Sequence, residues 1–151
     1  MMRVEVENTL PNEPTSIHWH GLLLPASMDG VPDVSNFPIG PKRAFVYEYP
    51  LLQSGTYWYH SHWRLQEQIG MAGPFVIEAK DEPLRVDHDV VVFLGDWLHR
   101  SPYAALGTLK EKPKPMAPGA QMGNVKPDLA DIQYDAYLLN GRASGKQSAA
   151  R

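Results

Sequence analysis

The chain has 151 residues, of which 43% are hydrophobic and 21% are charged, as in folded proteins with a buried core. Its formal net charge of -3 gives no basic surface for nucleic acid or an anionic membrane, so neither is an expected partner. We expect neither a membrane-spanning helix nor a signal peptide, because no apolar run has the necessary length or setting.

Short strands are predicted throughout the first half of the chain. Alternating apolar and polar residues, rich in β-branched and aromatic types, predict strands at residues 3–7, 15–24, 44–49, 56–62 and 73–79. Loops rich in proline and glycine separate these strands, and this spacing predicts an all-β sandwich or barrel. The predicted core residues are Ile17, Trp58, Phe75 and Ile77.

A change of composition near residue 80 divides the chain into two predicted units. Residues 1–80 form the first, and residues 81–151 form a partial second domain or an extension. The regular elements predicted in the second unit are a strand at 89–97, a helix at 101–109 and a strand at 134–140. A Pro-rich linker precedes the last strand, and a disordered tail is expected to follow it.

Two His-x-His motifs are the candidate functional residues of the sequence: the HWH motif at residues 18–20 and the HSH motif at residues 60–62. On a strand, side chains two residues apart point to the same face, so each motif presents two imidazoles and turns its central residue away. If the two strands lie together, four imidazoles meet in one region. The candidate metal ligands are His18, His20, His60 and His62.

Imidazole is a ligand for copper, zinc, iron or nickel. A site of four imidazoles with no nearby carboxylate favours copper, with zinc as the second choice. The chain contains no cysteine, which excludes disulfides, iron–sulfur clusters and the thiolate ligand of a blue copper site. Histidines that only pack in the core or face the solvent are the competing interpretation of both motifs.

Two acidic residues lie near the motifs in sequence. Asp29, in the loop after the HWH motif, is interpreted as a turn residue whose side chain bonds to the backbone. Glu67, which follows the HSH motif, is either a hydrogen-bond partner of a ligating imidazole or a solvated turn residue.

The sequence around the motifs resembles one protein family. HWHG at residues 18–21 and TYWYHSH at residues 56–62 match the two N-terminal copper motifs of the multicopper oxidases, the family of the laccases. MDGVPDV after the HWH motif agrees with this family, and LQEQIGMAGPFVIE after the HSH motif is similar to its copper-resistance branch. The resemblance covers most of the chain and is most specific over residues 15–77.

The resemblance implies a cupredoxin-like Greek-key β-sandwich, followed by an irregular, Pro-rich C-terminal extension. It also implies copper as the cofactor, dioxygen and a small reducing substrate such as a phenol or Cu(I), and a periplasmic or secreted location. In this family a trinuclear copper centre reduces dioxygen to water. By motif position, His18 resembles a ligand of its type 2 copper. His20 and His60 resemble ligands of one type 3 copper, and His62 resembles a ligand of the other.

The family takes further His-containing motifs and a cysteine from a C-terminal domain, and this sequence has neither. We therefore expect domain one plus the start of domain two. Such a chain is a fragment, or a reduced oxidase that completes its copper site with another copy of itself. The alternatives are a non-catalytic copper-binding or copper-resistance module and a remnant that binds no metal.

Overall fold

A computed structural model describes residues 1–81, 85–110 and 132–143. Its strands are β1 (Met2–Glu7), β2 (His18–His20), β3 (Ala44–Tyr49), β4 (Gly55–His60), β5 (Ala72–Ile77), β6 (Leu94–Trp97), β7 (Ala136–Leu139) and β8 (Arg142–Ala143). The helices in these ranges are α1 (Pro102–Lys110) and two short 3-10 helices, Ala26–Met28 and Glu67–Ile69. The regular structure is mostly antiparallel β-strand, which confirms the all-β prediction.

Two sheets in the first half of the chain form the sandwich. β1 pairs with β3 along its whole length, so that Met2 lies opposite Tyr49. In the other sheet β4 is central, with β2 on one side and β5 on the other. The first four strands alternate between the two sheets, and the connections therefore cross from one layer to the other.

Trp19 is the centre of the core between these sheets. Its side chain is buried, and its ring centroid lies 5.5 Å from that of Tyr47 on β3 and 5.4 Å from that of Phe75 on β5. Tyr49 and Ile39 complete the buried cluster. The middle residue of the HWH motif therefore points away from the imidazoles, as the alternation along a strand predicts.

The predicted core is partly wrong. Ile17 and Phe75 pack against the buried cluster, but Trp58 does not belong to it. Trp58 lies two residues before His60 on β4 and therefore shares the face of that histidine rather than the face of Tyr59, which packs on Trp19. Ile77 is half-buried at the end of β5, outside the cluster.

The strand, helix and strand predicted in the second half are present as β6, α1 and β7, and the short strand β8 was not predicted. β6, β7 and β8 form a three-stranded antiparallel sheet. α1 begins after Ser101, whose Oγ accepts the N–H of Tyr103 at 3.3 Å, as at a capped helix N-terminus. Within the described ranges, no helix is long and apolar enough to cross a membrane. The division at residue 80 stays a prediction, and the Pro-rich linker and the tail lie largely outside the described residues.

Replacing Tyr49 with phenylalanine is expected to reduce the loss of stability at alkaline pH. Burial, with a smaller contribution from the charge of Tyr47, raises the pKa of Tyr49 from 10.0 to about 12. The unfolded chain therefore releases this proton before the folded chain does, and the stability that Tyr49 contributes is lost as pH rises from 10 towards 12. Urea unfolding should show the wild type losing about 1.4 kcal/mol more than Tyr49→Phe between pH 8 and pH 11.

At pH 7 the same substitution should be neutral or slightly stabilising, because the Tyr49 hydroxyl is buried without a hydrogen-bond partner within the described residues. The matched control is Tyr47→Phe. The Tyr47 hydroxyl accepts the N–H of Ile17 at 3.2 Å, so its removal should destabilise the fold by about 1 kcal/mol. Equal pH dependence in the wild type and Tyr49→Phe would contradict the prediction.

Candidate metal centre

The pairing of β2 with β4 brings the two His-x-His motifs together. His18 lies directly opposite His60 in this antiparallel pair, and His20 lies opposite Trp58. One ring nitrogen from each of His18, His20 and His60 lies within 4.8 Å of the other two. Three imidazoles from two strands therefore converge on one point, as a metal ion requires.

His62 stands beside this group but is not part of it. It follows the end of β4, and its ring centroid lies 5.3 Å from that of His18 and 5.4 Å from that of His60. Its backbone N–H donates to the Oγ of Ser16 at 3.0 Å, which fixes the chain after the strand. His62 and His20 are both exposed, so this side of the cluster faces outwards.

Two carboxylates lie behind the imidazoles, and neither belongs to the group of converging nitrogen atoms. Nδ1 of His60 is 3.0 Å from Oε2 of Glu67. Nδ1 of His18 is 2.8 Å from the backbone oxygen of Asp29 and 3.3 Å from its carboxylate. In both rings Nδ1 is used by a protein acceptor, and Nε2 is left as the atom that can bind a metal.

Asp29 reaches His18 because the loop after the HWH motif lies directly against β2. Asp29 ends the 3-10 helix Ala26–Met28, and Gly30 follows with a φ of 74°. A Cβ at Gly30 would lie 1.7 Å from the carbonyl oxygen of Ile17, so only glycine allows this approach. The turn interpretation of Asp29 omitted its contact with His18.

His20 presents a different nitrogen from the other two histidines. Its Nδ1 lies 3.2 Å from Nε2 of His60. A single ion at about 2.0 Å from each nitrogen fits between atoms at this separation, as metal–imidazole bonds require. Trp58 stacks on both rings, with its centroid 4.8 Å from that of His20 and 4.3 Å from that of His60. The residue predicted to be in the core therefore holds two candidate ligands in position.

His60 is the most deeply buried of the four histidines, with 4% of its surface exposed. Burial lowers its pKa; the carbonyl of Ser61 and the charge of Glu67 partly offset this effect, and His18 and His62 add to it. The lowered pKa favours the neutral form of His60. A neutral imidazole is the form that binds a metal, so the site is prepared for one.

Gln66 anchors the segment after the HSH motif and was not among the predicted site residues. Its buried Oε1 accepts hydrogen bonds from Thr15 at 2.8 Å and from Ser61 at 2.7 Å. Its Nε2 donates to the carbonyl of Pro14 at 2.9 Å. This network joins the approach to β2 with the centre of the HSH motif and so fixes the two motifs relative to each other. A glutamine among polar residues in a turn gives no sequence signal of such burial.

The remaining histidines lie away from the centre. His88 is exposed. Nδ1 of His99 accepts the indole N–H of Trp97 at 3.2 Å, beside the sheet of β6, β7 and β8. A cleft of about 910 Å³ separates this sheet from β4 and β5. Trp58 and Glu67 line the cleft and also contact His60, so the cleft reaches the back of the candidate metal centre.

The sequence is similar to a family model and to several curated proteins over most of its length. The sequence model of the family described as "Multicopper oxidase" matches residues 1–82. Copper resistance protein A of Escherichia coli is 49% identical over 110 residues, which are 72% of this chain and 18% of that protein. Laccase-1 of Cryptococcus neoformans var. neoformans serotype D is 39% identical over 146 residues, which are 92% of this chain and 22% of that protein.

Comparison with solved structures agrees with the comparison of sequences. The crystal structure of Fet3p, a multicopper oxidase that functions in iron import, matches with a TM-score of 0.70 and 30% identity. The match covers 92% of this chain and 25% of that one. The predicted cupredoxin-like sandwich is thereby confirmed. This chain spans about a fifth of the length of the curated relatives described above.

Proposed function

Because the chain belongs to the multicopper oxidase family, whose metal is copper, we propose that it supplies part of a copper centre that couples oxidation of a small substrate to reduction of dioxygen. The convergence of three ring nitrogens from His18, His20 and His60 within 4.8 Å is the observation that carries this proposal. When bound, copper supplies the redox chemistry that reduces dioxygen to water. Phenols or Cu(I) are the proposed reducing substrates.

The four histidines of the two motifs are the proposed ligands. His20 and His60 bind one ion together, which their nitrogen separation of 3.2 Å supports. His18 and His62 would bind neighbouring ions; their ring centroids lie 5.3 and 5.4 Å from that of His60 and 5.3 Å from each other. Asp29 and Glu67 hold the rings of His18 and His60 by Nδ1, so these ligands need little reorganisation when a metal binds.

Ligands from outside this cluster are proposed to complete the centre. His20 and His62 are exposed, which leaves the outward side of each ion open to another group. A second copy of this chain is one source of such ligands, because a symmetric contact would place two His clusters face to face. A periplasmic or secreted location follows from the family resemblance and remains a proposal.

The second candidate function is a copper-binding module that does not catalyse oxidation. The name of the E. coli relative, Copper resistance protein A, favours a role of this protein in copper handling. The absence of a cysteine also means that these 151 residues offer no thiolate for a blue copper. Both candidates require copper binding by the same histidines, and they differ in oxygen consumption.

We expect the purified chain, loaded with Cu(II), to bind copper more tightly than zinc without an intense blue colour. The affinity order follows from the general preference of nitrogen ligands among divalent metals, and the colour requires a thiolate. Competition calorimetry, the visible spectrum and solution mass of the loaded protein, and oxygen uptake with a phenol are the measurements.

Oxygen uptake by a copper-loaded oligomer would support the oxidase, and copper binding without uptake would support the module. Tighter binding of zinc, or no binding of either metal, would contradict a copper site. His88→Ala is the matched control, because His88 is exposed and outside both motifs.

A further inference from the structure

Both ring nitrogens of His60 are engaged, on opposite sides of a buried ring. Nδ1 faces the carboxylate of Glu67 at 3.0 Å, and Nε2 faces Nδ1 of His20 at 3.2 Å. A neutral imidazole carries one proton, and the position of that proton decides which nitrogen can bind a metal. The acceptor beside Nδ1 therefore determines whether Nε2 is free.

Two acceptors compete for the Nδ1 proton. The carbonyl oxygen of Ser61 lies 3.2 Å from Nδ1 and belongs to the next residue, so it is present in any variant. The carboxylate of Glu67 is closer and charged. Hydrogen bonds to an ionised acceptor are about twice as strong as neutral ones, so Glu67 dominates the choice of tautomer.

The position of Glu67 is itself fixed. It follows Gln66, whose side chain makes two buried hydrogen bonds and one part-buried one. It begins the 3-10 helix Glu67–Ile69, which Gly70 ends by donating its N–H to the carbonyl oxygen of Glu67 at 3.0 Å. Trp58 stacks on the face of His60 at a centroid distance of 4.3 Å. The ring is thus held at one edge by Glu67 and on one face by Trp58.

We propose that Glu67 is a positioning residue of the copper centre. Its carboxylate accepts the Nδ1 proton of His60, keeps Nε2 unprotonated and holds Nε2 towards His20. This inference rests on the proposed function, because Nε2 of His60 is taken to be a copper ligand. The side chain of Glu67 is 39% exposed and lines the cleft, so it acts from outside the cluster of imidazoles.

The test compares two substitutions at Glu67 with one at its neighbour. Glu67→Gln keeps a side-chain oxygen that can accept the proton. Glu67→Leu removes every side-chain acceptor while keeping a side chain of similar size. Gln68→Leu is the matched control, because Gln68 lies in the same 3-10 helix and lines the same cleft. The first readout is the pair of 15N shifts of the His60 ring in the metal-free protein, which report the tautomer. The second is Cu(II) affinity from competition calorimetry.

The wild type and Gln68→Leu should hold the proton on Nδ1 of His60. Glu67→Leu should populate the other tautomer and bind Cu(II) about 10- to 100-fold more weakly. Glu67→Gln should fall between the wild type and Glu67→Leu in both readouts, because its amide oxygen can accept the proton but carries no charge. A purely structural role of the side chain would instead predict that Glu67→Gln matches the wild type.

Two results would overturn the proposal. One is the finding that His60 of the wild type is protonated on Nε2. This measurement does not depend on whether any variant folds. The other is a Glu67→Leu variant with unchanged tautomer and affinity, which would show that the carbonyl of Ser61 suffices. A wild type with the expected tautomer but no copper binding would refute the copper function and leave the assignment of Glu67 to His60 standing.

Discussion

Replacing His60 with alanine is expected to weaken Cu(II) binding about 100-fold or more while the sandwich stays folded. His60 is the most buried of the four histidines, and its ring centroid lies 5.3 Å from that of His18 and 5.4 Å from those of His20 and His62. Loss of its Nε2 removes a proposed ligand that is already directed at the other imidazoles. Calorimetry with Cu(II) measures the affinity, and circular dichroism checks the fold.

A double-mutant cycle with His20→Ala tests whether the two histidines share one ion. If they do, the double variant should bind little more weakly than either single variant. The coupling energy should then approach the effect of one substitution, about 2.7 kcal/mol for a 100-fold loss. His99→Ala is the control and should leave the affinity unchanged, because His99 lies beside the sheet of β6, β7 and β8. Additive losses from His20→Ala and His60→Ala would mean that the two motifs bind separately, and the oxidase proposal would fail.

Replacing Trp19 with alanine should lower the free energy of unfolding by about 3–5 kcal/mol, as large-to-small changes of buried aromatic residues do. Trp19 is 4% exposed and contacts aromatic rings from both sheets, so its removal leaves a cavity that neither sheet can close alone. Urea unfolding monitored by circular dichroism gives the difference. Copper affinity should fall as well, because β2 carries His18 and His20.

Phe37→Ala is the matched control for this substitution. It removes an aromatic ring of similar kind that is 90% exposed, and its effect should remain within about 0.5 kcal/mol. If Trp19→Ala were as mild as Phe37→Ala, the core would not be centred on Trp19, and the packing of the two sheets would need another explanation.

Local rules were enough to predict the sandwich and the shared face of each His pair. The alternation along a strand turned Trp19 inwards and the histidines outwards, and the structure has the same arrangement. The same rule applied to β4 would have placed Trp58 beside His60. Its large apolar side chain suggested the core instead, and the prediction was wrong because a metal site can also bury an aromatic ring.

The geometry of contacts made where the chain folds back after a strand could not be predicted from the sequence. The sequence left Glu67 open between a partner of a ligating imidazole and a solvated turn residue. Its contact with His60 depends on the direction of the 3-10 helix after β4, which no pattern in the sequence gives. Asp29 reaches His18 through a close backbone approach at Gly30, which a glycine alone does not reveal. β2 is also shorter than predicted, because Gly21 takes a φ of 85° directly after His20 and ends the strand.

The three residues of β2 restrict how this part of the gene can change in length. Gain or loss of one codon before His18 would exchange the two faces of the strand, and an imidazole would enter the aromatic core while Trp19 moved out among the ligands. The segment cannot absorb the change at its ends, because Thr15 is bridged to Ile39 before the strand and Gly21 turns the chain after it. Insertions and deletions should therefore be tolerated in the exposed loop around Asp33 and Val34 rather than here.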